Sequence, residues 1–393
     1  KKNTSILKNL YEWIKTKHML DIEENKKLDL PLLFIDDEAD FASVNTKAHR
    51  DDITATNKYI RQIIGLFNRS TYVAYTATPF ANLLSHPESS GIDDEFGLSL
   101  HPRDMIQVLE KPHSHLDNEN YFLTPDSRNV IIRNPFIENS PEETRLLRET
   151  VLRHILTEQI KIHSRNIRKH HTTLIHTSIR VDEHRRITDC VLNHIEEFRD
   201  DEKIIDEFRK LSNEYDLKST ELQKLDEFFN QLEEDWDLFL DILDRIETVE
   251  VNARKREDGD FHLQHLKYSK FKSNSYIAIG GTRLSRGLTL EGLTTSLFTR
   301  SARVPLYDTM LQMSRWCGYR PGYGDLVRIT TNDDIRSNFV NIANEEADLR
   351  RKISILPEDC DPTDEIIWIR EHPGMQVTRK EAMRNVSRRG WGG

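Results

Sequence analysis

A cluster of acids follows an apolar run in this 393-residue chain. The run LPLLFI spans 30–35, and Asp36, Asp37, Glu38 and Asp40 come directly after it. Acids are costly to bury unless they are paired or bound to a metal, so we expect them at a strand end, where open α/β sheets bind ligands. There Asp37 could hold Mg²⁺ and Glu38 could orient or deprotonate water. The alternative is that these acids only cap the next helix.

Two threonines follow the next predicted strand. TYVAYTATP spans 71–79 and places Thr76 and Thr78 in a turn that ends at a proline. Small hydroxyl residues in a tight turn can donate hydrogen bonds to carboxylates on a neighbouring strand end. Taken alone, the sequence of this turn is only a weak indication of function. Its position one strand after the acids favours a site that it shares with them.

Two later segments carry glycines and arginines. In GGTRLSRGLTLEG (280–292), Gly281 and Gly287 permit close backbone approach to a phosphate, and Arg286 adds positive charge. In QMSRWCGYR (312–320), which we predict to lie on a helix, Arg315 or Arg320 could stabilise charge on a transferring phosphoryl group. Structural ion pairing is the alternative for these arginines, and core packing for Trp316 and Tyr319.

The elements that must position these residues alternate between helix and strand. Apolar spacing predicts helices over 4–20 and 56–68 around strands at 30–35 and 71–79, which is the pattern of a parallel α/β sheet. A second series comprises a helix at 141–163 and strands at 172–178, 275–281, 294–300 and 325–331. Residues 85–140 read as an irregular connection. Residues 191–250, rich in charge and without glycine or proline, read as a helical insertion exposed to solvent.

Composition excludes several classes of protein. The formal net charge of −10 argues against a generally basic nucleic-acid coat, although basic stretches occur at 161–171, 252–257 and 377–391. The three cysteines form no CxxC pair, which favours a reducing, cytoplasmic setting. No apolar run is long enough to span a membrane. The histidines form no metal-binding pattern, and we expect His170 and His171 to be surface residues.

The order of the segments resembles the motor core of superfamily two helicases. Asp37-Glu38-Ala39-Asp40 matches their Walker B box, followed by TAT, LIHTS, SRG and the arginine box. The phrases LLFIDDEADFASVNT, YVAYTATPFANLL, AIGGTRLSRGLTLEGLTTSLFTR and DTMLQMSRWCGYRPGYGDLVRI more closely resemble the Z1 domain family, which carries the description of an endonuclease. The resemblance spans roughly residues 30–330.

The resemblance implies two RecA-like lobes, each a parallel sheet flanked by helices, with a nucleotide cleft between them. Residues 1–140 would form the incomplete first lobe and its connection, 141–345 the second lobe, and 346–393 the start of a C-terminal extension. The implied ligands are ATP, Mg²⁺ and DNA. The implied setting is a restriction or phage-defence system with nuclease, methyltransferase or MutL-like partners.

Individual roles also follow from the resemblance. Asp37 would hold the metal, Glu38 would act as the base, Asp40 would couple the motifs, and Arg315 or Arg320 would be the arginine finger. The residues expected to contribute to the nucleotide site are Thr76, Thr78, Gly281, Arg286, Gly287 and Gln312.

The sequence departs from the helicase pattern at three places. No GxxxxGK[ST] loop occurs in the 393 residues, so the chain is expected to be a fragment that binds nucleotide poorly by itself. Thr289 stands where many helicases have an aspartate. The spacing from Gln312 to Arg315 is one residue shorter than usual.

Two other functions remain open. Asp36, Asp37 and Glu38 could form a metal-dependent endonuclease site, although no partner lysine is evident; Asp201-Glu202-Lys203 lies within the predicted helical insertion. A non-catalytic interaction module is the third possibility.

Overall fold

The chain forms two compact α/β units that alternate along the sequence. Unit 1 comprises residues 1–109, 304–312 and 348–393, and unit 2 comprises residues 110–303 and 313–347. The computed structural model describes residues 2–18, 27–45, 53–85, 97–125, 127–134, 136–251, 253–255, 261–263, 266–269, 272–281, 288–300, 302–357, 362, 367–380 and 383.

The secondary structure confirms the alternation of helices and strands. In chain order the elements are α1 (Thr4–His18), β1 (Leu28–Asp37), α2 (Ala55–Gly65), β2 (Phe67–Tyr75), α3 (Phe80–Leu83), β3 (His115–Leu116), β4 (Val130–Ile132), α4 (Pro141–Gln159), β5 (His171–His176), α5 (Val181–Glu197), α6 (Ile204–Ser212), α7 (Ser219–Glu234), α8 (Trp236–Asp244), β6 (Ile246–Val251), β7 (Ala253–Lys255), β8 (Phe261–Leu263), β9 (Ser275–Gly280), β10 (Leu293–Phe298), α9 (Tyr307–Met313), β11 (Gly318–Tyr319), β12 (Arg328–Thr331) and α10 (Asp333–Ser354).

Unit 1 is built on the parallel pair β1–β2, whose register brings Asp37 opposite Tyr75. Helices α1 and α2 cover one face of this pair and bury a cluster that includes Leu7, Ile60 and Ile63. The other face of the pair is not buried, although the sequence predicted a buried strand at 30–35. Leu33 and Ile35 on this face are each 60% exposed. Alternation along a strand explains this result, since the described helices cover only one side of the sheet.

Unit 2 contains a six-stranded, all-parallel sheet in the order β4-β12-β10-β5-β9-β6. Strands β5, β9 and β10 are buried along their whole length, as expected when helices cover both faces of a parallel sheet. Helix α4 is capped at its start by Ser140, whose hydroxyl accepts from the Glu143 N–H, and the Glu143 carboxylate accepts from the Asn139 N–H. All four central strands predicted from the sequence are present.

The region predicted as a solvated helical insertion is part of the core of unit 2. It forms α6, α7 and α8, and its apolar residues, including Phe208, Phe229 and Phe239, join the cluster that contains Ile277 and Ile279 of β9. The prediction of a helical hairpin exposed to solvent was therefore wrong. The charge that suggested exposure lies on the outer faces, while the apolar stripes pack inward. Residues 246–251 form the edge strand β6 rather than a continuation of the helix.

The 312–320 segment also differs from its predicted helix. Helix α9 ends at Met313, and Gly318–Tyr319 forms β11, which pairs antiparallel with β3. Trp316 is completely buried, and its indole Nε1 donates to Asn118 Oδ1 at 3.0 Å. Core packing therefore applies to Trp316, whereas Tyr319 is 56% exposed. The strands β3 and β4 lie in the region that was predicted to be irregular.

Within the described part of the chain, no helix is long and apolar enough to cross a membrane.

Candidate functional site

The acids predicted to carry chemistry lie at and just beyond the carboxyl end of β1. The backbone turns sharply there, because Glu38 adopts a left-handed conformation with φ of 55°. Such a conformation is uncommon for a residue other than glycine and is costly unless its surroundings enforce it. Two contacts hold the turn: the Lys2 ammonium donates to the Glu38 carbonyl, and the Ala39 N–H donates to the Tyr75 carbonyl at 3.0 Å.

Asp36 differs from its neighbours because it is buried and fully engaged. One carboxylate oxygen lies 2.9 Å from Lys2 Nζ, and the other accepts a 2.7 Å hydrogen bond from the Tyr72 hydroxyl. Burial, together with the negative charge of Asp36, raises the pKa of Tyr72. Asp36 is thus a structural acid. Lys2 corrects the expectation that no lysine accompanies these carboxylates, and no local spacing could have indicated a partner so distant in sequence.

Asp37 and Glu38 are exposed at the strand end. The Glu38 N–H donates to one Asp37 carboxylate oxygen at 3.0 Å, which fixes the orientation of that side chain. The other oxygen is available to a ligand. This arrangement fits Mg²⁺ held by one carboxylate together with water and phosphate oxygens, which is how Mg²⁺ is usually bound. The described residues contain no group of three or more His, Cys, Asp or Glu side chains that could hold a metal ion by themselves.

Asp40 forms the most connected contact set in unit 1. Its two carboxylate oxygens accept hydrogen bonds from Thr76 Oγ1 at 2.9 Å, from Thr78 Oγ1 at 3.0 Å and from Gln312 Nε2 at 2.9 Å. Gln312 Nε2 also lies 3.3 Å from Thr78 Oγ1. The structure therefore brings together three of the residues predicted from separate segments, and it joins them through a buried carboxylate.

The sequence places each of these donors locally. Thr76 and Thr78 follow directly after β2, and the Thr76 hydroxyl accepts from the Thr78 N–H at 3.0 Å, which tightens the turn. Gln312 lies near the end of α9, whose Asp308 accepts from the Thr378 hydroxyl at 2.8 Å. Asp308 and Thr378 were not singled out in the sequence, because neither belongs to a recognisable motif.

The buried Asp40 network predicts a measurable contribution to stability. Thr78→Val removes a hydrogen bond to a charged group and leaves Asp40 partly unsatisfied. We expect the free energy of unfolding to fall by about 2 kcal/mol. Thr71→Val, at an exposed position of β2, is the matched control and should change the free energy of unfolding by less than about 0.5 kcal/mol. Equal effects of the two variants in chemical denaturation would contradict this assignment.

The two candidate arginine fingers both lie in unit 2, where they organise their own loop. Arg320 donates to the carbonyls of Tyr319 at 2.9 Å, Arg315 at 3.2 Å and Cys317 at 3.4 Å. Arg315 donates to the carbonyl of Leu288, which belongs to the glycine-rich segment. Gly318 has a φ of 133°, which residues that carry a side chain rarely adopt. This conformation allows the chain to fold back. A finger role for either arginine stays a prediction.

The glycine-rich segment is described only in part. Gly281 follows β9, and a Cβ atom there would lie 3.2 Å from the Ile179 Cα atom and from the His184 ring. Its lack of a side chain therefore serves the close packing of two neighbouring strand ends. Arg286 and Gly287 lie outside the described residues.

The first basic stretch is exposed only in part: Arg168 and Lys169 are exposed, but two other basic residues are buried or paired. Lys161 is buried and donates to the His170 carbonyl at 2.9 Å, while Arg165 pairs with Glu221 and Asp325. Burial lowers the pKa of Lys161 to about 8. His171, expected at the surface, is completely buried. The strand β5 that it begins lies at the centre of the sheet, which a dipeptide pattern cannot reveal.

Comparison with known proteins gives one match. The sequence profile of the Z1 domain matches residues 146–377. The match includes Gly281, Gln312 and the two candidate fingers, and it does not include the acids after β1 or the TAT turn. No curated protein and no solved structure matches the chain.

Proposed function

The chain belongs to the Z1 domain family, and from this premise we propose that it is the core of a helicase-like enzyme that couples ATP hydrolysis to binding or remodelling of DNA. One observation carries the proposal: Asp40 of the DEAD sequence is held by Thr76, Thr78 and Gln312. An aspartate that only capped a helix would not need three side-chain donors from two distant segments. Such a network can instead transmit a change at the acids to the loops that follow β2 and α9.

The proposed chemistry uses the exposed pair beyond the end of β1. Asp37 would hold Mg²⁺, which when bound neutralises charge on the phosphates. Glu38 would accept a proton from the attacking water. Asp36 would stabilise the turn through Lys2 rather than act on substrate. Arg315 or Arg320 would stabilise charge on the transferring phosphoryl group.

The wider biological setting is also part of the proposal. We place the enzyme in restriction or phage defence, with DNA as substrate and a nuclease, methyltransferase or MutL-like protein as partner. The 393 residues contain no GxxxxGK[ST] sequence. The proposal therefore requires a phosphate cradle from another segment or chain, and its tests use the full-length gene product.

A second candidate is a metal-dependent endonuclease that uses the same acids. The contact between Lys2 and Asp36 favours it, because it places a lysine beside the acidic cluster. Against it, both oxygens of Asp36 are already engaged by Lys2 and Tyr72, so that Asp36 would not be available to a metal ion.

Asp37→Ala distinguishes the two candidates when two assays are run on the same full-length preparation. If the ATPase proposal is correct, Mg²⁺-dependent release of phosphate from ATP is lost in the variant, and plasmid DNA is not nicked without nucleotide. Nicking with Mg²⁺ or Mn²⁺ alone that disappears in the variant would favour the endonuclease. Phosphate release that is unchanged in a folded variant would overturn the role of Asp37 in ATP hydrolysis, and nicking that is unchanged would overturn its role in the endonuclease.

A further inference from the structure

At the carboxyl edge of the sheet in unit 2 lies an arginine for which the described residues supply no counter-charge. Arg300 follows the end of β10, and its Nη1 lies 3.2 Å from His176 Nε2 at the end of β5 and 3.7 Å from Met313 Sδ. Its side chain is half-buried, and burial lowers its pKa. No carboxylate in the described part of the molecule pairs with it.

Two described arginines at the same edge are neutralised by carboxylates. Arg133 follows β4 and pairs with Glu149 at 2.9 Å. Arg180 follows β5 and pairs with Glu138 at 3.2 Å and Glu183 at 3.3 Å. A charge removed from water is costly without a partner, so the unpaired Arg300 is the exception that needs an explanation.

The protonation state of His176 follows from its contact with Arg300. A guanidinium can only donate, so His176 Nε2 must accept, and the ring is neutral with its proton on Nδ1. Burial and the charge of Arg300 lower the pKa of His176 to about 3, which agrees with a neutral ring. His176 thus orients the guanidinium without compensating its charge.

Two hydroxyl groups at the same strand ends are buried and find no partner among the described residues. Thr177 follows β5 and Thr299 follows β10, both are more than nine-tenths buried, and no described residue forms a hydrogen bond with either Oγ1. The Thr299 N–H donates to the His176 carbonyl at 3.3 Å, which places the two strand ends side by side. The edge therefore offers a positive charge and unused hydroxyl donors, and the described residues supply no negative charge to match them.

We infer that Arg300, oriented by His176, binds a phosphate group of the ligand that the enzyme acts upon. Phosphate oxygens provide the acceptors and the negative charge that this edge lacks, and the carboxyl edge of a parallel sheet is where such ligands bind. Two sources share this chemistry, the DNA backbone and the nucleotide. The inference rests on the proposed function for its choice of ligand.

The test compares Arg300→Gln with Arg180→Gln, a matched control whose guanidinium is already paired. DNA affinity is measured by fluorescence anisotropy without nucleotide, and ATP affinity with a fluorescent analogue in the full-length protein. We expect Arg300→Gln to weaken the binding of one of the two ligands, DNA or ATP, about tenfold. If that ligand is DNA, the slope of log affinity against log salt should also decrease by close to one unit, because one phosphate contact is lost. Arg180→Gln should change neither affinity.

Variants of His176 separate positioning from simple structural damage. In His176→Gln the side-chain carbonyl can still accept from Arg300, so the affinity should stay near that of the wild type, whereas His176→Leu should behave like Arg300→Gln. DNA and ATP affinities both unchanged in a folded Arg300→Gln protein would overturn the inference, whatever the ATPase assays give. Loss of DNA affinity in a protein without ATPase activity would uphold it and refute the proposed function.

Discussion

Glu38→Gln should lower the turnover number for ATP by about a thousandfold, the scale of general base catalysis, and leave nucleotide affinity unchanged. Glutamine has nearly the same shape as glutamate but cannot accept a proton from water. Because the Glu38 carbonyl, not its side chain, accepts from Lys2, the substitution preserves this contact of the turn. The measurements are phosphate release and binding of a fluorescent ATP analogue by the full-length protein.

Glu12→Gln provides a control with the same chemical change at an exposed position of α1, and we expect it to retain full turnover. Turnover that survives in Glu38→Gln would remove Glu38 from the role of base. A variant that loses nucleotide affinity together with turnover would point instead to a binding role, since a base is needed only in the transition state.

The sequence predicted the site best where its residues lie in strand ends and turns. Asp37 ends β1, and Thr76 and Thr78 follow β2. The apolar pattern of both strands is short and clear, and parallel strands bring their carboxyl ends to one edge. The contact between Gln312 and Asp40 could not be predicted from the periodicity of apolar residues, because the two residues lie 272 positions apart. The resemblance in motif order supplied that expectation.

Contacts that depend on tertiary packing could not be predicted in this way. Lys2 reaches Asp36 from the start of the chain, and nothing in its local sequence distinguishes it from other exposed lysines. Strand β6 follows directly after α8, so the sequence pattern did not separate its residues from the long, charged helical region before it. The three-residue strand β4 is too short to show alternation. Arg300 was visible in the sequence, but only the absence of a nearby acid in the described structure gives it meaning.

Acidification should destabilise unit 2 strongly, because it contains three buried histidines that are neutral when folded. His154 bonds to Thr173 at 2.8 Å and to Ser275 at 2.9 Å, and burial lowers its pKa to about 3. Burial likewise lowers the pKa of His171 well below its usual value and that of His176 to about 3. The unfolded chain takes up a proton on each near pH 6.5, so protonation favours unfolding as the pH falls.

The expected size of the effect follows from the same linkage. Each such histidine should remove about 2 kcal/mol from the free energy of unfolding between pH 7 and pH 5. Glu158 acts in the opposite direction, because burial raises its pKa and the folded state then binds its proton more tightly than the unfolded state as the pH falls. One glutamate offsets only part of the contribution of three histidines, so the net change should remain destabilising.

Amide hydrogen exchange in β5, β9 and β10 measures this loss within unit 2 independently of unit 1. His154→Gln should reduce the loss of stability between pH 7 and pH 5 by the contribution of one histidine, about 2 kcal/mol. His113→Gln, at an exposed position of the same unit, should leave that loss unchanged. Protection that is constant from pH 7 to pH 5 would mean that the unfolded and folded states bind equal numbers of protons. That result would contradict the net destabilisation expected from the three histidines.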